Sequence, residues 1–110
     1  MMQALLQERE RAVALVASLA DELDAIIALS MTETPDDEHD SEGSTIGFER
    51  ARVSALLAHS RRRVVELDLA LDRVSAGTYG VCGRCGDPIS VERLEALPTT
   101  VTCVSCAAST

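Results

Sequence analysis

Four cysteines in the last third of the chain constrain what it can fold into more than any other feature. Cys82 and Cys85 have two residues between them, Cys103 and Cys106 also have two, and 17 residues separate the pairs. That inner spacing lets both thiolates reach one ion from a tight turn, and two such pairs complete a tetrahedron. Four thiolates leave no open coordination position, so the ion this pattern takes is structural rather than catalytic. One Zn2+ is the expectation, although an iron–sulfur cluster uses the same ligands. Gly83 and Gly86 leave the first turn free to aim backbone N–H groups at the sulfurs. A redox pair would sit in a thioredoxin-like alternation of strands and helices, and no such alternation is present.

The compartment decides between metal binding and disulfides. The N-terminus has no basic flank, and the apolar run 12–20 is broken by Ser18 and followed by Asp21 and Glu22. It is too short to cross a bilayer and lacks the layout of a signal peptide. A cytoplasmic location is expected, with no membrane contact, and there cysteines hold metal more often than they pair.

Upstream of the cysteines the pattern is helical. Leu5, Ala12, Val16, Leu19, Leu23 and Ile26 fall at steps of 3 and 4, with Arg9 filling the gap, and Ala4, Leu15, Ala20 and Ile27 widen the stripe. This spacing predicts a helix over 2–31, about 45 Å long, with a coiled-coil-like seam. Residues 45–76 repeat it through Ile46, Arg50, Val53, Leu57, Ser60, Val64, Leu67, Leu71 and Val74. Ser44 is the expected N-cap and Gly77 the expected stop. Only 2% of residues are aromatic, so the core must be aliphatic, as suits helices packed along a seam. Two long helices of matching length joined by a turn are expected to fold back on each other.

The fold class that follows is mainly α: a long antiparallel two-helix coiled-coil hairpin over 1–76 plus a small four-cysteine zinc-finger module over 77–110. Within the module, residues 90–97 read as a short helix, with Val91, Leu94 and Leu97 on one face and Pro98 as its stop.

The turn between the long helices, residues 32–44, holds six acidic side chains and no arginine: Glu33, Asp36, Asp37, Glu38, Asp40 and Glu42. The ordinary reading of such a run is a solvated loop. Placed at the far end of the hairpin from the metal site, it could instead enter a basic channel or approach a bound Mg2+. His39 lies in this turn as a spacer, and His59 is expected on the helix surface. Arg61, Arg62 and Arg63 are expected to pair with acids of the first helix or with Glu66.

Charge excludes some functions. Ten basic residues, all arginine, stand against 18 acidic ones, for a formal net charge of −8. Gripping nucleic acid through its phosphates needs a basic face, and residues 77–110 offer only Arg84 and Arg93. Direct DNA binding is therefore not expected. No nucleophile–base pair is present, so an enzyme is not expected either.

With the cysteines and the acidic turn in view, the chain resembles the DksA/TraR family of zinc-finger transcription factors. The carrying segment runs Gly77-Thr-Tyr-Gly-Val-Cys-Gly-Arg-Cys-Gly-Asp-Pro-Ile, then Glu92-Arg-Leu-Glu-Ala-Leu-Pro, then Thr102-Cys-Val-Ser-Cys-Ala. Upstream, Asp37-Glu-His-Asp and Ser44-Thr-Ile-Gly-Phe-Glu-Arg are similar to family members as well.

The resemblance implies a monomeric regulator with one structural Zn2+ on Cys82, Cys85, Cys103 and Cys106. It implies binding to RNA polymerase, with the hairpin entering the secondary channel and the acidic tip approaching the catalytic region to modulate initiation. The family's tip motif Asp-x-x-Asp-x-Ala falls on Asp37 and Asp40, with Glu42 at the alanine position. Near the positions that family members use to respond to guanosine tetraphosphate, this chain offers Glu66, Leu97 and Ala107, so weak dependence on that alarmone is expected. Target promoters and the direction of regulation stay open. The alternative is a zinc-stabilised coiled-coil adaptor or homodimer, whose second apolar stripe would use Ala14, Leu29, Leu56 and Leu69.

Overall fold

Periodic apolar residues produce two long helices, α1 at Met2–Met31 and α2 at Ser41–Ala76, followed by the short helices α3 at Val91–Ala96 and α4 at Val104–Ala108. The computed structural model describes residues 1–31 and 41–109, with side chains from residue 45 onward in the second stretch. Among the described residues there is no strand, only an isolated antiparallel bridge between Val81 and Pro88. α1 and α2 form an antiparallel hairpin: Arg9 meets Asp68, whereas Glu22, later in α1, meets Arg52, earlier in α2.

α1 has the bounds that its pattern predicts. α2 starts earlier than expected, at Ser41, so Ser44 lies within its first turn rather than capping it. Gly43 costs about 1 kcal/mol in a helix, but extending an existing helix by a turn avoids the nucleation penalty.

Contacts divide the chain into two compact units, residues 1–10 with 64–110 and residues 11–63. In residues 11–63 the core is a row of α1 side chains spaced by sevens, Ala12, Leu19 and Ile26, facing Val53, Leu57 and Ser60 of α2. Val16, Ala20, Leu23 and Ile46 pack against it half-buried. A buried leucine or isoleucine stabilises by about 1.5–3 kcal/mol relative to exposure, so this row carries the pairing. Outside it Arg52 bridges Glu49 at 2.5 Å and Glu22 at 3.7 Å. Arg50, read as part of the seam, is exposed, as are Ala4 and Leu15 of the widened stripe. The seam is narrower than the stripe because only one face of each helix has a partner.

In residues 1–10 and 64–110, Leu5, Leu67 and Ala70 are buried, and Arg9 Nε reaches Asp68 Oδ1 at 2.5 Å. Gly77 ends α2 with a φ of 77°, a left-handed conformation that glycine adopts at little cost. The N–H groups of Thr78 and Tyr79 then close on the Arg73 carbonyl at 2.9 and 3.2 Å. Arg73 Nη2 donates to the Thr99 carbonyl at 3.3 Å, and Thr99 Oγ1 donates to Glu66 at 3.4 Å. The last turns of α2 thus hold the loop that precedes the second cysteine pair.

Candidate metal centre

The first cysteine pair sits on a turn closed by its own backbone. The Cys82 N–H donates to the Asp87 carbonyl at 2.8 Å, and the Gly86 N–H returns to the Cys82 carbonyl at 2.9 Å. Gly86 takes a φ of 80° to make this turn, which a side chain would strain. The second pair starts a helix. Cys103 is the N-cap of α4, and the Ala107 N–H donates to its carbonyl at 3.0 Å. One main-chain bond joins the two pairs, from the Gly83 N–H to the Val101 carbonyl at 2.8 Å.

Beneath them Cys82, Ile89 and Leu94 form a small buried cluster, flanked by Tyr79, Cys103 and Cys106. α3 presents Leu94 to it. Ser90 caps α3 by accepting the Arg93 N–H at 3.2 Å, and Leu97 is the C-cap, just before Pro98. The predicted short helix is thus present, but its face is narrower than expected, since Val91 and Leu97 are 61% and 50% exposed.

The four sulfurs come together as the spacing predicts: Cys82, Cys85, Cys103 and Cys106 each offer one ligand atom, all within 4.8 Å of one another. Cys85 Sγ and Cys103 Sγ lie 3.7 Å apart. A tetrahedron with Zn–S bonds of about 2.3 Å has edges of about 3.8 Å, so the observed spacing fits one zinc ion. No other group of three or more histidine, cysteine or acidic side chains is so gathered among the described residues.

The surroundings favour the charged form of one sulfur in particular. Backbone N–H groups of Cys85, Cys103 and Arg84 lower the Cys82 thiol to about 6, against the opposing effect of burial. Cys106 is pushed up to about 12, chiefly because it shares a proton with Cys103 and Cys85. At Cys85 the Asp87 N–H, 3.5 Å away, pulls the thiol down. Proton sharing with Cys82 and Cys103, together with desolvation, outweighs that pull, and the net shift is upward. Without metal the cluster is a set of thiols competing for protons. A dication replaces those protons and removes the competition.

The tip residues Asp37 and Asp40 lie outside the described residues, as does His39, and so does the side chain of Glu42. His59 is exposed on α2, and of the arginine run Arg61 and Arg62 are exposed and Arg63 half-buried. Reading the sequence missed α4 and the work done by Arg84 and Arg93. Arg93 Nε donates to the Thr102 carbonyl at 2.9 Å and Arg84 Nη1 to the Cys106 carbonyl at 3.3 Å. Their isolation as the only basic side chains of the module was the available signal.

Residues 77–110 match the family described as the prokaryotic dksA/traR C4-type zinc finger. The fold matches the solved structure of transcription factor DksA2 from Pseudomonas aeruginosa with a TM-score of 0.80 and 28% identity, covering 97% of this chain and 77% of that one. The zinc-finger segment thus belongs to the dksA/traR C4-type family, and the fold around it is similar to that of DksA2. It is also similar to the uncharacterized protein YteA of Bacillus subtilis, 39% identical over 66 residues, or 60% of this chain and 28% of that protein. To the RNA polymerase-binding transcription factor DksA of Caulobacter vibrioides it is 49% identical over 39 residues, or 36% of this chain and 28% of that one. These matches span under a third of the length of either relative. No helix among the described residues is long and apolar enough to cross a membrane.

Proposed function

We propose that this chain is a cytoplasmic transcription regulator that binds RNA polymerase. In this reading the four-cysteine module holds one structural Zn2+ at the base of the hairpin. The acidic turn carries Asp37, Asp40 and Glu42 into the secondary channel, toward the active centre, and alters initiation without chemistry of its own. The observation that carries the reading is the likeness over nearly the whole chain to a solved transcription factor, hairpin and cysteine cluster included. The likeness to the RNA polymerase-binding factor of Caulobacter vibrioides supports polymerase as the partner. A net charge of −8 suits a protein partner with a basic channel better than duplex DNA.

The test is the double substitution Asp37→Asn with Asp40→Asn, which removes charge and keeps shape. Transcription in vitro from a responsive promoter should lose its dependence on the protein, while pull-down of core polymerase stays at the parent level. A double variant that regulates as well as the parent refutes the tip's role. Crosslinking from position 40 then reports what the tip touches.

A second reading, an adaptor or homodimer, draws on Leu29, Leu56 and Leu69, which are 58%, 40% and 53% exposed. A stable dimer by size-exclusion mass at micromolar concentration, with no polymerase captured, favours it.

A further inference from the structure

Arg84 and Arg93 are the only cationic side chains in residues 77–110, and neither is spent on a surface carboxylate. Both donate to main-chain carbonyls that bracket the second cysteine pair. Arg93 Nε donates at 2.9 Å to the carbonyl of Thr102, the residue before Cys103. Arg84 Nη1 donates at 3.3 Å to the carbonyl of Cys106 itself. The Arg93 fork closes on a second atom: its Nη2 donates to Thr100 Oγ1 at 3.4 Å, and Thr100 Oγ1 in turn donates to the Thr102 carbonyl at 3.3 Å.

The two cysteine pairs differ in what holds them. The first is closed by its own backbone through Cys82, Gly86 and Asp87. The segment 99–102 that delivers Cys103 has a single main-chain bond to the first pair, from the Gly83 N–H to Val101. Side chains therefore do more there, and the strongest contact comes from Arg93, anchored on α3 by the Ser90 cap. Four thiolates around a divalent ion leave two negative charges, and the two guanidiniums of this segment sit on the carbonyls of Thr102 and of the ligand Cys106.

We propose that Arg93, assisted by Arg84, is a positioning residue of the metal centre: it fixes the loop before Cys103, and so sets how firmly the second pair holds the ion. The planar fork matters as well as the charge, because its donors are held in one plane against Thr102 and Thr100, whereas a lysine ammonium is a freely rotating point charge that meets the same oxygens without fixing the loop. This role rests on the cysteine cluster and is independent of the polymerase reading.

The test uses the zinc-loaded full chain and measures zinc transfer to a colorimetric chelator. Arg93→Gln should speed transfer by about tenfold, the range in which loss of a group supporting a metal ligand falls. Arg93→Lys should stay closer to Arg93→Gln than to the parent, and Arg84→Gln should show a smaller rise. In Co2+-loaded protein, Arg93→Gln should shift the thiolate–cobalt absorption bands, a readout that general loss of stability leaves alone. Transfer at the parent rate in Arg93→Gln, full rescue by lysine, or an unshifted cobalt spectrum overturns the proposal. If Arg93→Gln fails to load metal, Thr100→Val removes the outer contact of the fork together with the bonds of Thr100 to Thr102 that it braces. It must still speed transfer, and the parent rate there overturns the proposal too.

Discussion

The Tyr79 hydroxyl donates to the Pro98 carbonyl at 2.9 Å, tying the turn after α2 to the residue just past the C-cap of α3. Nineteen positions apart in sequence, these residues close residues 79–98 around the buried cluster of Cys82, Ile89 and Leu94. The ring is partly desolvated, and that desolvation raises the hydroxyl above the usual tyrosine value of 10.0.

Tyr79→Phe is expected to cost about 1 kcal/mol, the net value of one such bond, read as a lower melting temperature of the zinc-loaded protein. The raised value also fixes a pH dependence. A folded group with a raised pKa contributes stability below its unfolded value, and that contribution is lost as pH rises through the folded value. The stabilisation should therefore hold at neutral pH and disappear on the alkaline side of 10.0. Tyr79 is the only tyrosine and there is no tryptophan, so near-UV tyrosinate absorbance follows this one residue. A titration midpoint at or below the free tyrosine value contradicts the burial argument.

Two leucines on α2, two positions apart, test the seam. Leu67 is 0% exposed and Leu69 is 53% exposed. Leu67→Ala should cost about 2–5 kcal/mol, and Leu69→Ala no more than about 0.5 kcal/mol. Denaturant midpoints of the two variants make the comparison. Equal losses would mean that Leu69 is covered in solution, as the adaptor reading requires.

The leucine pair also illustrates what the sequence makes legible. Spacing by sevens picks out Leu5, Ala12, Leu19 and Ile26, and all four are buried, because a hairpin seam repeats with the helix. The same rule places Arg50 in the seam, yet it is exposed, since periodicity locates a face without saying how wide the partner is. The cysteine cluster follows from ligand spacing alone, as the gathered sulfurs confirm. What spacing does not convey is nonlocal support. Arg93 meets Thr102 across nine positions and Arg84 meets Cys106 across 22, and no local pattern couples a guanidinium to a particular carbonyl. The start of α2 at Ser41 was hidden for a different reason: Gly43 reads as punctuation, although one glycine costs little inside a long helix.

α3 depends on its cap. It has six residues, far below the length at which a helix persists alone in water, and its first turn is fixed by Ser90 accepting the Arg93 N–H at 3.2 Å. Ser90→Ala should lower stability by about 0.5–2 kcal/mol, seen in thermal melts of the zinc-loaded protein. Ser90→Asp, which keeps an acceptor at the cap, should stay near the parent. An alanine variant indistinguishable from the parent would show that packing of Leu94 alone suffices to hold α3.

Metal removal is the severest test of the module. Its buried cluster consists of three residues, one of them the ligand Cys82, too little apolar burial to hold so small a unit together. Structural zinc sites contribute on the order of 10–16 kcal/mol of apparent binding energy, which is also folding energy. A chelator should therefore collapse the amide dispersion of residues 77–109 in NMR spectra. The helical circular dichroism should largely persist, because residues 11–63 have a core of their own in Leu19, Ile26, Val53 and Leu57. Acid should act in the same direction, since thiolates bind metal and thiols do not. Once the metal-free module has collapsed, its thiols return toward the ordinary cysteine value of about 8.5, so they must release protons as zinc binds near neutral pH. Affinity should therefore fall steeply as pH falls through the neutral range. Chelator competition across a pH series measures that slope. A dispersed, unchanged spectrum for residues 77–109 after complete zinc removal would show that the module folds without its metal.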